Sequence, residues 1–522
     1  MRIIALVIVV AGCSSTPTVT DGGVDAAVEA ASCVTPKITC GGQCVDTKTD
    51  HANCGACGLA CPSGENCCGA SCSSDAQCSV TVTSLSSAKG YMSGGDYVTL
   101  KGSGFAAGMR VFFGTGRAPV RVIDAQTAIA LTPPAPVGKY DVHAQVGAAS
   151  ATLPLSYEVR SESFGTSWVE ISMSTPRGNF PAMTTLQDGR VLVVGGTSTS
   201  QPSSSLASAD LYDPVGKQMI PAAGPMSEPR NTVSAITLLD GRALVVGACN
   251  ISAGNGCLSA GDRAVADLFD PTTNKFTTAK TTLGDTTRVY MRLTMLPDAR
   301  VLVTSNASAT SEIFDPSTDS FTSGPGSNFG AFGFPSRLRD GRVLFLASQS
   351  EIYDPDTNKV TPLAAPIAHG VNAAFTLPDG RVMSPGGADL VNNMITPTDV
   401  VSLVDPVQPL VTTLGQKLSS PRVKFASALL GDGTVMVAAG VDAPYPATYG
   451  CQSDTFPTTK AVDVIEPVAG TVAPFPALND LNMELVATTL LDGSILIGGG
   501  APCGGAGAYP YVYFLKSIPP PN

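Results

Sequence analysis

Histidine is nearly missing from this chain: His51, His143 and His369 are the only three in 522 residues. So few imidazoles leave little material for Ser-His-Asp catalysis. Tryptophan occurs once, as Trp168, and charged residues make up only 14% of the chain. The formal net charge is −11 and there are no runs of Lys or Arg. Without a basic patch there is no electrostatic footprint for nucleic acid. No GxSxG, HExxH, Walker loop or dinucleotide fingerprint occurs, which removes the commonest hydrolase and nucleotide chemistries.

Glycine and proline, in contrast, are plentiful, at 54 and 40 residues. With so little charge they predict many short strands and turns rather than helices. A chain of this length is too long for one ordinary core, so several domains are expected.

The 15 cysteines are grouped. Ten fall between Cys33 and Cys78, four are Cys249, Cys257, Cys451 and Cys503, and Cys13 stands alone. Ten and four can pair as disulfides, which implies an oxidising compartment; the odd one needs its own explanation. The N-terminus supplies it. Arg2 is a minimal positive region, and Ile3 to Val10 is an apolar run too short to span a bilayer. Val10-Ala11-Gly12-Cys13 then resembles a bacterial lipobox. The resemblance implies a signal peptide at 1–12, a lipidated Cys13 and export to the cell envelope. Ser14, rather than Asp, fits the outer-membrane pattern. Residues 13–32 carry no aromatic and no periodicity, so they read as a flexible tether.

Residues 33–78 have almost no apolar content and must be stapled. Export and ten available thiols favour a disulfide scaffold over a zinc site at Cys54-x-x-Cys57. The run CGGQCVDTKTDHANCGACGLAC resembles cysteine-rich stretches of bacterial surface lipoproteins and of the stigma-specific family. That implies an extracellular module without an activity. Residues 80–159 alternate short β-rich runs with Gly and Pro turns, as a sandwich does. SGGDYVTLKGSGF, VFFG, LTPPAP and GKYDV resemble the IPT/TIG immunoglobulin-like domain, whose role would be a spacer or an interaction domain.

From residue 163 the chain repeats itself. An apolar strand ends in a tight turn at Asp188-Gly189, Asp240-Gly241, Asp298-Ala299, Asp340-Gly341, Asp379-Gly380, Asp432-Gly433 and Asp492-Gly493, and a very apolar strand follows. A later strand closes on Asp213-Pro214, Asp270-Pro271, Asp315-Pro316, Asp354-Pro355, Asp405-Pro406 or the variant Glu466-Pro467. Units of four strands, a to d, at this spacing are propeller blades. Seven a–b turns against six c–d turns predict that Trp168 to Met173 supplies the last outer strand and closes the ring. LQDGRVLVVGG…ADLYDP resembles the kelch/galactose-oxidase repeat. The expected fold is therefore all-β: a seven-bladed kelch-like propeller over 163–516, preceded by an Ig-like sandwich and a small disulfide-rich module. Galactose oxidase holds copper with histidines and tyrosines. One propeller histidine cannot rebuild that set, so no metal or other cofactor is expected. No Asp-box followed by Trp argues for a sialidase.

Two functional classes remain. The first is a surface binding or adhesion protein whose partners are the membrane, through Cys13, and a carbohydrate or protein ligand. The second is a polysaccharide-acting enzyme. Asp463, Asp442, Glu484 and Tyr449 are its candidate groups, but nothing in their spacing selects them, and no residue is assigned as catalytic. The binding face is expected opposite the Asp-Gly turns. Ten or eleven residues before each turn stand Arg177, Arg230, Arg288, Gly330, His369, Arg422 and Asn482. A basic ring here would suit an anion such as an acidic sugar. The competing reading pairs each arginine with a carboxylate or carbonyl of a neighbouring blade. Cys249–Cys257 and Cys451–Cys503 are the expected late disulfides.

Overall fold

A computed structural model describes residues 33, 37–68, 71–73, 79–178, 180–198, 204–247, 265–285, 288, 290–305, 307–364, 366–446, 457–480, 483–500 and 511–518. The chain divides into two compact units, residues 1–76 and residues 77–522.

The first unit is held by covalent bonds. Among the described residues four disulfides join Cys33 to Cys44, Cys40 to Cys57, Cys54 to Cys67 and Cys61 to Cys72. Two short hairpins, Ile38–Cys40 with Gln43–Val45 and Asn66–Cys68 with Ser71–Ser73, are its only described strands. Its buried apolar cluster consists of Cys54, Cys61 and Cys67. The disulfides therefore replace a core, each closing a loop of a size worth about 2–4 kcal/mol.

The second unit begins with a two-sheet sandwich. One sheet orders Val120–Asp124, Thr127–Leu131, Tyr97–Ser103 and Thr81–Leu85; the other orders Lys89–Tyr91, Ala149–Arg160, Gly138–Val146, Arg110–Phe113 and Gly116–Ala118. Alternate residues such as Val98, Leu100, Val111, Phe113, Val142 and Ala144 fill the space between them. His143 faces out and bonds Thr152 Oγ1 at 3.0 Å, a local structural contact.

Among the described residues seven four-stranded antiparallel sheets follow, an arrangement consistent with a β-propeller, and each is called a blade below. Their innermost strands, a, are Ala182–Thr185, Val233–Thr237, Met291–Met295, Phe334–Arg337, Phe375–Thr376, Ala426–Leu429 and Val486–Thr489; they number blades one to seven. Every b strand, such as Val191–Val194 and Val343–Leu346, is buried on both faces, which is why these runs are continuously apolar. In blade seven the outer strand is Val169–Ser172, paired antiparallel with Tyr511–Leu515. The start of the ring thus bonds its end. Trp168 locks this joint: its indole N–H donates to the Pro476 carbonyl at 2.7 Å, and its ring meets Phe475 and Tyr513 edge-on.

The Asp-Gly turns are structural. In each of blades one to five the aspartate accepts the amide and the guanidinium of the arginine two residues on. Arg190 and Arg242 also reach the carbonyls of Pro271 and Pro316 in the next blade's c–d turn. Blade three has Ala299 in place of glycine, held at φ 68°. Its methyl group packs in a cluster with Leu239 and Met295, and Tyr97, Ile129 and Leu131 of the sandwich pack against that cluster. The sandwich therefore sits on the turn face. Backbone bonds fix it there: Met92 N–H to Gly431, Arg117 N–H to Arg339 and Val120 N–H to Pro297.

Candidate functional site

The residues in register before strand a do not line a basic ring open to solvent, and the expected ligand site at these positions is corrected. Arg177, Arg230, Arg288 and Arg422 are at most 1% exposed. Each is paired with an acid on strand c of its own blade rather than of a neighbour. Arg177 meets Asp210 at 2.8 Å, Arg230 meets Asp267 at 2.8 Å, Arg288 meets Glu312 at 3.0 Å and Arg422 meets Asp463 at 2.5 Å. The remaining donors close the b–c connection: Arg177 Nη1 reaches the carbonyls of Gly195 and Ser208, and Arg422 Nη1 reaches that of Ala461. His369 plays the same part in blade five, its Nε2 lying 2.9 Å from Ser402 Oγ. In blade four, where Gly330 stands in register, Glu351 instead accepts from the amide and side chain of Asn328. These groups are struts. A ligand at the mouth has no access to the four arginines as placed, because they are buried and ion-paired within their own blades. Asp463 is likewise removed as a candidate catalytic acid. Asn482, Tyr449, Cys13, Cys249, Cys257, Cys451 and Cys503 lie outside the described residues.

Further along strand a the chemistry changes. A cavity of about 470 Å³ opens on the axis at the face away from the Asp-Gly turns, and all seven blades contribute to its wall. Phe180, Tyr290, Lys424 and Glu484 form its outer level, each two or three residues beyond a strut position. All four hold left-handed φ, between 50° and 62°. Non-glycine residues adopt this backbone at a cost of order 1 kcal/mol or more each, and such strain collects at functional sites. Phe180 and Tyr290 meet edge-on with centroids 5.5 Å apart, and Tyr290 is 47% exposed. Lys424 Nζ donates to Glu484 Oε1 at 2.7 Å and lies about 6 Å from the rings of Phe180 and Tyr445. Burial drives the Glu484 carboxyl above its ordinary range, against the pull of Lys424, and its Oε2 is buried without a partner. Asn372 Oδ1 accepts the Lys424 amide at 2.9 Å and fixes that loop.

Two residues deeper on blade three is Arg292. Its guanidinium lies 3.7 Å from the centroid of the Phe334 ring. Among the described residues it has no hydrogen bond and no ion pair, and Nη1 is buried without a partner. Burial pushes its pKa down to about 10. Arg337, on the innermost strand of blade four, also lacks an acid among the described residues and is pushed down to about 10 by burial. Apart from Asn372, the wall around Arg292 is small or apolar, including Ala182, Ser234, Ala373 and Ala426. A desolvated cation without an anion is costly, and a bound anion would relieve it.

Sequence reasoning named Glu484 without being able to place it and missed Arg292, Tyr290 and Lys424. The signal was present. Six residues before the turn, the other blades carry Ala182, Ser234, Phe334, Ala373, Ala426 and Val486, so Arg292 is the lone charge at that level.

Among the described residues no histidine stands beside the cavity tyrosines. Tyr290 and Tyr445 are near the cavity, but His369 is bonded to Ser402 and His143 lies in the sandwich. The three sulfurs of Cys54, Cys61 and Cys72, within 4.8 Å of one another, belong to disulfides and are not free ligands.

Among solved structures, the chain is similar to a fungal alcohol oxidase of the AA5 family in complex with copper, at 16% identity over 69% of this chain and 77% of that one, TM-score 0.49. It is similar to YjhT at 12% identity over 58% of this chain and 99% of that one, TM-score 0.42. It is also similar to virginiamycin B lyase from Staphylococcus aureus, at 9% identity over 68% of this chain and all of the other, TM-score 0.45. No curated protein matches the chain. Residues 80–159 match the family model of the IPT/TIG domain, which identifies the sandwich.

Proposed function

We propose that the chain is an exported surface protein, anchored in the bacterial outer membrane by a lipid on Cys13, whose seven-bladed kelch-type propeller binds an acidic carbohydrate at its axial mouth. The observation that carries this reading is Arg292, a guanidinium facing the cavity with no ion pair among the described residues. Tyr290 and Phe180 add an aromatic platform for a sugar face, and Asn372 and Glu484 add polar groups for hydroxyls. The test is binding of uronic-acid and neutral oligosaccharides to wild type and to Arg292→Met. Acid-selective binding that falls at least about tenfold in the variant is expected, since a desolvated charge contact is worth 2 kcal/mol or more. Preference for neutral sugars, or equal binding by the variant, overturns it. For the anchor, Cys13→Ala should move the protein from membrane to soluble fractions.

One observation favours a second reading, an enzyme acting on extracellular polysaccharide. Glu484 is a buried carboxyl with a raised pKa and an unpartnered oxygen at the same mouth, the condition of a general acid or base. Release of reducing sugar from bound ligands by wild type, abolished in Glu484→Gln, would establish it. Binding without turnover leaves the first reading standing.

A further inference from the structure

We infer that the axial site takes the end of an anionic glycan chain and not an internal stretch of it; the inference rests on the reading above. Three features of the axis point to this. First, the cavity is walled all round. Phe180, Thr232, Tyr290, Phe334, Asn372, Lys424 and Glu484 supply one wall element from each blade. A polymer lying across the propeller would rest on this wall.

Second, the anion-seeking group is below the rim. Arg292 is the second residue of the innermost strand Met291–Met295, whereas Tyr290 precedes that strand, and Arg292 lines both the mouth cavity and the one beneath it. A carboxylate on an internal sugar of a chain crossing the rim would have to descend below it, whereas a terminal sugar enters whole. A cavity of about 470 Å³ suits one or two sugar rings, being within the roughly 300–1,000 Å³ of small-molecule sites.

Third, the IPT/TIG domain lies across the far end of the axis. The mouth cavity shares Val233, Arg292, Phe334 and Leu485 with the one beneath it. That one shares Phe375, Ser427 and Ala487 with a basal cavity lined by Tyr91, Asp96, Tyr97 and Leu131 of the IPT/TIG domain. The domain is bonded across the turn face at Gly431, Arg339 and Pro297, on blades six, four and three. The IPT/TIG domain is thus the floor of the site as well as a spacer.

The experiment is calorimetric titration of the full chain with galacturonate, glucuronate and mannuronate oligomers of one to six residues, with Arg292→Met as control. End-on binding predicts that affinity per molecule rises to the dimer or trimer and then stays level within about twofold up to the hexamer, because residues beyond the rim add no contact. It also predicts that a polymer binds in proportion to its chain ends. Affinity that keeps climbing by tenfold or more from trimer to hexamer overturns the end-on inference while leaving acidic-glycan binding intact. Binding of none of these acids, or equal binding by Arg292→Met, overturns both.

Discussion

Arg288 and Arg292 are four residues apart on the same blade and have opposite surroundings. Arg288 is 1% exposed and meets Glu312 at 3.0 Å. Arg292 faces an aromatic ring and a cavity, with no ion pair among the described residues. The first recurs in register as Arg177, Arg230 and Arg422; the second has no counterpart at its level. In a repeat protein a charge that recurs with the repeat serves the repeat, because each blade faces the same problem of closing its b–c connection. A charge found in one blade only answers to something outside the scaffold. That contrast separates scaffold from site more sharply than residue type does.

The largest expected effect falls on the recurring set. Removing one partner of a buried ion pair strands the other, at a typical cost of 3–5 kcal/mol. Arg230→Met should therefore lower unfolding free energy by that order and leave Asp267 without its cation. Chemical denaturation checks it. The double variant Arg230→Met with Asp267→Leu should recover much of the loss, since no charge is then left buried. A single variant as stable as wild type would break the contrast.

A smaller effect is expected at the seam with the IPT/TIG domain. Asp96 is buried with hydroxyl partners and no cation: it accepts from Tyr157 at 3.1 Å, Thr132 at 3.3 Å and the Tyr91 amide at 3.3 Å. Burial raises its pKa to about 6, with Glu162 nearby adding to the rise. The folded state thus holds this proton more tightly than the unfolded chain does. The stabilisation is full below pH 4, declines as pH rises to about 6 and is gone above it, an amount on the order of 1–3 kcal/mol. Melting temperature should fall between pH 4.5 and 7 in wild type. Asp96→Asn should flatten that slope; an unchanged slope would remove Asp96 as its source.

Much of the scaffold was legible in the sequence, and so were the struts in hindsight. An acid stands three residues before five of the six c–d turns, at Asp210, Asp267, Glu312, Glu351 and Asp463. Where the arginine gives way to His369, the acid gives way to Ser402. Reading the two registers together pairs them; reading the arginines alone suggested a ring. The expected pairing to a neighbouring blade was also off by one blade, because a strand's own c neighbour is closer than the next sheet. The docking of the IPT/TIG domain was not legible. It depends on single contacts such as Arg117 with Asp356, 239 residues apart, which no local pattern encodes.

That contact gives the next smaller effect. Arg117 holds Asp356 with two bonds of 2.7 and 2.9 Å, and the aspartate side chain is 38% exposed. The pair draws the Asp356 carboxyl below its usual range, so its contribution is present at neutral pH and lost on acidification through that lowered pKa. An exposed pair of this kind is worth about 0.2–1 kcal/mol. Arg117→Ala should cost no more than that, with the difference shrinking at high salt. A loss of several kcal/mol would mean that the pair, and not the apolar packing around Tyr97 and Leu131, holds the domain in place.

The smallest stability effect belongs to Arg292, and its near-absence is the sharpest test of the contrast. Wild type already bears the desolvation of this guanidinium with no acid to offset it, as its lowered pKa records. Replacement by Met removes that burden and keeps the long aliphatic stem. It forfeits the contact with the Phe334 ring, worth about 0.5–2 kcal/mol for a cation over an aromatic face. The two terms oppose each other, so unfolding free energy should change by less than about 1 kcal/mol in either direction. Differential denaturation of Arg292→Met beside Arg230→Met puts two arginine-to-methionine changes in one propeller on the same scale. A loss at Arg292 comparable to that at Arg230 would show that it, too, is a strut with a partner, and the axial site would lose the group on which it is built.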